Sequence, residues 1–128
     1  MNKKVSLSFA PLLERYFLSY MITQKKVSPR TVSSYRDSFT LYFRFLNSEH
    51  EIVPDKIEIE HFSLDYLISF GDYLEKKRKC GASTINLRLS AIKSFLRYAV
   101  VEAPEYSGTI RKSLSLPSRK ADKVVMAE

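Results

Sequence analysis

The sequence has no tryptophan, a single cysteine, only three glycines and five prolines in 128 residues. Cys80 alone cannot form a disulfide or a cysteine-based metal site within the chain, and it fits a reducing, cytoplasmic setting. So few turn-forming residues argue against a sheet protein, which needs glycine and proline at its frequent turns. No apolar run approaches the ~18 residues of a spanning helix, and Met1-Asn2-Lys3-Lys4 leads into no signal-peptide core. No membrane association is therefore expected. Phosphate-binding loops, dinucleotide fingerprints and zinc-protease pairs are also missing. His50 and His61 stand in an acidic segment without a matching ligand set, so neither a metal nor a cofactor is expected. The carboxylates there have no pocket argued for them, and most tyrosines fall on apolar faces, so general acid–base or nucleophilic catalysis has no positive support.

What the chain does hold is a core. Apolar residues make up 45% of it, with eight Phe and eight Tyr, which is too apolar for disorder and enough for one domain. Long helix-period patterns predict an all-α fold. The net charge of +7 is unevenly spread: Glu49 to Glu75 holds eight acids against Lys56 alone, leaving 20 bases and 6 acids elsewhere. A basic surface that faces a polyanion is the natural reading of that asymmetry.

Along the chain, residues 1–7 read as a basic arm, with Ser8 capping a first helix to about Gln24. Phe9, Leu13, Tyr16, Phe17, Tyr20 and Met21 form its apolar face. Ser28-Pro29, a hydroxyl cap before a first-turn proline, starts a second helix to about Asn47. Val32, Tyr35, Phe39, Tyr42, Phe43 and Leu46 point inward, and Arg30, Ser33, Ser34, Asp37, Thr40 and Arg44 outward. Ser48 to Phe62 reads as a connection with extended character, since Ile57-Glu58-Ile59-Glu60 has no second strand to pair with. Its acids would keep it away from a polyanion or meet a basic surface of a partner subunit. Ser63 would cap a third helix to about Lys79, with Leu64, Leu67, Ile68, Gly71 and Leu74 inward and Gly71 allowing a close helix crossing. Lys76, Lys77, Arg78 and Lys79 at its end either complement the helix dipole or contact phosphate.

The fourth helix, Gly81 to Ala103, combines two stripes. At about 100° per residue, Ile85, Leu89, Ile92, Leu96 and Ala99 share a core face with Phe95 at its edge. Asn86, Ser90, Lys93 and Arg97 lie a quarter to a third of a turn away, and Thr84 and Arg88 on the opposite flank. Pro104 stops this helix; Glu105 to Lys112 forms a further turn or two, with Tyr106 and Ile110 packing back and Leu114 and Leu116 completing the core. Pro117 to Lys123 is polar and basic, as a linker would be, and Val124-Val125-Met126 suggests an element that continues downstream.

Ser28-Pro29-Arg30-Thr31 with Tyr35, followed by Leu87-Arg88-Leu89-Ser90-Ala91-Ile92-Lys93-Ser94-Phe95, resembles the N-terminal core-binding domain of tyrosine recombinases, the phage-integrase family. The likeness extends from about Ser6 to Pro117 and takes in the basic linker. It implies a four- to five-helix, SAM-like orthogonal bundle over residues 8–116, one half of a clamp around double-stranded DNA, with residues 117–128 leading toward a separate catalytic domain. The second and fourth helices would face DNA: Thr31 and Tyr35 match the motif of one, Arg88, Ser90 and Lys93 that of the other. Leu87 departs from the pattern, standing where many relatives have a basic residue. Strand cleavage would belong to the other domain, so this chain alone would not be an enzyme. Around these positions, Arg30, Ser34, Ser83, Thr84, Asn86 and Arg97 are candidate base or phosphate contacts. Lys76 to Lys79, Arg119, Lys120 and Lys123 would add sequence-blind attraction. Other recombinase subunits on DNA are the expected protein partners, the isolated domain being monomeric. Two other readings stay open: a free-standing helical DNA-binding regulator, and a helical protein-interaction module with a basic face.

Overall fold

The computed structural model describes residues 2–120, with side chains from Phe9 onward. Among the described residues there are five α-helices: α1 (Asn2–Arg15), α2 (Pro29–His50), α3 (Leu64–Lys76), α4 (Ala82–Glu102) and α5 (Ser107–Leu114). A π-helical stretch, Tyr16–Gln24, continues α1, and 3-10 turns fill Pro54–Lys56, Ile59–Phe62 and Pro104–Tyr106. No strand occurs among the described residues, as the helix-period patterning predicts. The first helix begins at Asn2 rather than at a Ser8 cap, so the basic N-terminal residues extend α1 instead of preceding it.

The core forms where the apolar stripes meet. Tyr16, Phe39, Phe45, Phe62, Phe70 and Phe95 are buried in one cluster together with Leu46, Leu67, Leu74, Ile85, Ile92 and Leu96. Several of its aromatic rings meet edge-on: Phe39 and Phe95 lie 5.6 Å apart at 88°, and Tyr42 and Phe70 4.8 Å apart at 83°. That geometry adds about 0.5–1.5 kcal/mol per pair to the burial itself. The inward face of α3 is rotated from the expected one: Phe70 is fully buried, while Ile68 is 42% exposed. Leu67, Gly71 and Leu74 are buried as expected.

Glycine scarcity shows in how the helices end. Left-handed backbone, which glycine usually supplies, is taken here by Lys26 (φ 51°), Glu51 (φ 58°) and Lys79 (φ 58°). Each is followed by a residue whose N–H reaches back six positions: Val27 to Met21, Ile52 to Leu46 and Cys80 to Leu74. These charged stops carry no sequence signal, which is why α2 runs to His50 and α3 stops at Lys76 instead of the expected Asn47 and Lys79. Starts are better marked. The Thr31 N–H donates to Ser28 Oγ at 3.3 Å ahead of Pro29, as the Ser-Pro signal predicts, whereas Ser63 occupies the cap position of α3 without a side-chain cap bond.

The acidic connection is tied down by its apolar residues. Ile57 and Ile59 are both buried, so their alternation reflects anchoring to the core, with no strand ladder. The Tyr42 hydroxyl donates to the His61 carbonyl at 2.7 Å, and the buried Ser113 hydroxyl donates to the Phe62 carbonyl at 2.7 Å. Those two bonds hold the 3-10 turn between α2 and α5. Burial pushes the Tyr42 phenol well above its ordinary pKa.

Candidate nucleic-acid interface

The bundle sets α2 against α4, and the polar side chains of α4 divide into three groups. Toward α2, Arg88 Nη1 donates to Ser38 Oγ at 3.1 Å and to the Ser34 carbonyl at 3.4 Å. Its Nε is buried and has no hydrogen-bond partner among the described residues. Arg88 thus spans the seam between the helices, with its guanidinium fixed beside Ser34. Nearby, the Ser94 and Tyr16 hydroxyls share a 2.7 Å hydrogen bond. Desolvation raises the Tyr16 phenol to about 12, against the opposing pull of that bond.

On the other flank, Asn86 and Lys93 contact the segment that follows α5. Asn86 Nδ2 donates to the Arg119 carbonyl at 2.9 Å, and the Arg119 N–H donates to Asn86 Oδ1 at 2.8 Å. Lys93 Nζ donates to the Leu116 carbonyl. Desolvation, then the nearby Arg97 charge, lowers the Lys93 pKa. The Arg119 guanidinium binds Glu75 at 2.6 Å and Asp72 at 3.1 Å, both on α3. It also explains Gly71, whose position is packed against Arg119: a Cβ there would lie 2.8 Å from Arg119 Nη2. Gly71 makes room for a side chain from the end of the chain, where a helix crossing was expected.

Between these flanks lies the open stripe of α4. Ser83, Thr84, Leu87, Ser90, Arg97 and Val101 are exposed along it, Leu87 at 46% and Val101 at 73%. Gly81, the residue before α4, supplies no side-chain cap to the first N–H groups of this helix. On α2, Arg30 is exposed, and Thr31, Ser34 and Tyr35 are half-buried next to the Arg88 seam. The Arg88 bonds to Ser34 and Ser38 join the α2 and α4 sides of this region.

The remaining cations are not gathered there. Lys77 pairs with Glu49 at 3.4 Å, near the far end of α2, about 27 Å along that helix from Thr31 at 1.5 Å per residue. Lys76, Arg78, Lys79 and Lys120 are exposed. Lys120 borders a cleft of about 330 Å³ with Glu75, Cys80, Gly81, Ala82, Ile85 and Arg119 at the start of α4. Lys123 lies outside the described residues. Sequence reasoning missed Tyr20, Gln24 and Tyr98, which with Ser19, Ser94, Arg97, Val101 and Glu102 line a cleft of about 340 Å³ beside the open stripe. Only the spacing of Tyr98 after Ser94 hinted at it. Among the described residues no group of three His, Cys, Asp or Glu could hold a metal ion, and no helix is long and apolar enough to cross a membrane.

The bundle of helices packed in this way is an all-α fold, and its sequence has known relatives. Residues 14–103 match the model of the phage integrase N-terminal SAM-like domain, so the chain belongs to that family. It is 39% identical over 113 residues, 88% of this chain and 34% of the relative, to the protein y4rC of Sinorhizobium fredii, named as an integrase/recombinase. It is 33% identical over 97 residues to the tyrosine recombinase XerC of Yersinia pestis, covering 74% of this chain and 29% of that protein. The XerC protein of Caldanaerobacter subterraneus is 26% identical over 125 residues, 88% of this chain and 35% of the relative. The chain therefore spans about a third of the length of these relatives. No solved structure matched.

Proposed function

We propose that this chain binds duplex DNA through the α2–α4 face and positions it for cutting and rejoining by a separate catalytic domain of a tyrosine recombinase. The observation that carries this reading is the Arg88 bridge to Ser34 and Ser38. It joins the two helices that carry the family-like motifs, with Ser34 in the bridge itself, Arg30, Thr31 and Tyr35 near it on α2, Thr84 on the same flank of α4, and Ser83, Ser90 and Arg97 on the adjoining open stripe. Cationic and hydroxyl groups at helix starts suit phosphate, and the acids of residues 49–65 belong to a different segment of the chain, while Asp72 and Glu75 are paired with Arg119. Residues 8–116 act as the DNA-binding unit, residues 1–7 as a basic extension and residues 117–128 as a linker. In this reading the chain works in the cytoplasm, meets other recombinase subunits on DNA, is monomeric by itself and cleaves no strand.

The test is the salt dependence of duplex binding, measured by fluorescence anisotropy. With roughly six phosphates neutralised, the slope of log affinity against log salt is about −5. Arg97→Ala flattens it by about one, whereas Glu60→Ala leaves it unchanged. A slope near zero would sink the reading.

A further inference from the structure

Residues 116–119 cross α4 as a strap whose length matches the helix beneath it. Leu116 is held by Lys93 and Arg119 by Asn86. The distance along α4 from residue 93 back to residue 86 is about 10 Å at 1.5 Å per residue. Three extended residues span about the same length at ~3.3 Å each. Pro117, without an N–H and favouring extended backbone before it, suits a segment that makes no bond of its own between the two anchors. Beyond α4 the strap ends in the Arg119 guanidinium, seated against Gly71 and bound to Asp72 and Glu75.

This arrangement occupies the groups a polyanion would seek. Both functions of the Asn86 amide are taken by the Arg119 backbone, the Lys93 ammonium is turned toward the Leu116 carbonyl with one of its N–H groups, and the Arg119 charge is matched by two carboxylates. The hold is nonetheless weak, because the ion pairs are largely exposed: Asp72 and Glu75 keep 53% and 54% of their side-chain surface. Exposed pairs of this kind are screened by salt, and phosphate competes well for guanidinium.

Resting on the DNA-binding reading above, we propose that the 116–119 strap competes with duplex DNA for α4. It is closed in the free chain and released when DNA takes over Asn86, Lys93 and Arg119. The strap is then a built-in latch that lowers affinity for any DNA while it is closed.

The experiment uses the 128-residue chain and two kinds of strap variant. Asp72→Asn/Glu75→Gln removes the Arg119 partners and is compared with Asp55→Asn/Glu60→Gln, which makes the same charge change at exposed positions away from the strap. Gly71→Ala pushes Arg119 from its seat with no change of charge. Two quantities are read at one fixed salt concentration: the rate of tryptic cleavage after Arg119 without DNA, and the affinity for a random duplex by anisotropy. The double strap variant should be cleaved about ten times faster than wild type and bind duplex about five times more tightly than its charge-matched control. Gly71→Ala should move both readouts the same way, two- to threefold. Faster cleavage with duplex affinity equal to the control in the double variant, and to wild type in Gly71→Ala, overturns the competition. Unchanged cleavage in both variants overturns the latch, because these contacts would not be what holds the strap. Absence of duplex binding by every protein, wild type included, overturns the DNA reading and the competition with it, while the cleavage difference would still report the strap.

Discussion

The two flanks of α4 carry similar side chains and put them to different use. Toward α2, Arg88 is locked into a helix–helix seam; on the opposite flank, Asn86 and Lys93 grip an extended segment 23–33 residues further along the chain. The first contact joins two helices with 3.1 and 3.4 Å hydrogen bonds that run through a half-buried site. The second holds an extended segment through part-buried bonds from Asn86 and Lys93 and, beyond them, through exposed ion pairs of Arg119 with Asp72 and Glu75. A polar residue at the edge of an amphipathic helix is thus not a free residue, and its role depends on what the rest of the fold lays against it. The stripe between the flanks is what remains for a ligand, and it is bordered on both sides by side chains that already have partners.

Substitutions around α4 sharpen this contrast. On the core side, Phe95→Ala should cost about 3–5 kcal/mol, read as a fall in the urea midpoint, because Phe95 touches the rings of Phe9, Tyr16, Phe39 and Phe62. Alkaline pH strikes the same side. Tyr16 is raised to about 12 and Tyr42 is raised too, both chiefly by desolvation. Their contribution is therefore complete below the unfolded phenol value of about 10 and is lost as pH climbs from there toward the folded values. Thermal unfolding should show a falling Tm across that range, and Tyr16→Phe should make the fall shallower.

The seam comes next. Arg88→Ala should cost about 1–2 kcal/mol, the two lost bonds being offset in part by relief of the unpartnered Nε. Asn86→Ala should lower global stability by about 1 kcal/mol at most; its main effect is local, as faster amide exchange at Arg119. At the smallest end, Arg97→Ala on the open stripe should stay within about 0.5 kcal/mol of wild type in stability while weakening duplex binding. If Arg97→Ala destabilised the chain as much as Arg88→Ala, the division into seam, strap and open stripe would be wrong.

How much of this was legible follows the range of each interaction. The core stripe of α4, from Ile85 to Ala99, was readable because helix period is local, and every one of those positions is buried. The all-helical architecture and the Ser28 cap were readable for the same reason. Helix ends at Lys26, Glu51 and Lys79 were not, since a charged residue in left-handed backbone looks like any other surface position. The π-helical stretch was also hidden: its apolar residues fit an ordinary helix pattern, and the wider turn shows in the backbone, as where the Lys25 N–H bonds five residues back to Tyr20. The inward face of α3 was placed too far toward Ile68 because five apolar positions there fit two neighbouring faces, and packing of Phe70 against Tyr42 and Phe45 chose between them. Partners such as Asn86 with Arg119, or Tyr16 with Ser94 across 78 residues, are fixed by tertiary structure alone. For the candidate site, the sequence shows which residue types lie on which helix, but not which of the candidate cations are already engaged.

The most direct test of the central claim is a titration of the isotope-labelled chain with a duplex, followed by backbone amide NMR. The account predicts that the shifts gather in Arg30–Tyr35 and Ser83–Arg97, with a second set at Leu116–Lys120 as the strap lets go, and that residues 49–62 stay still. Shifts centred on that acidic connection, or none at all at moderate salt, would contradict it.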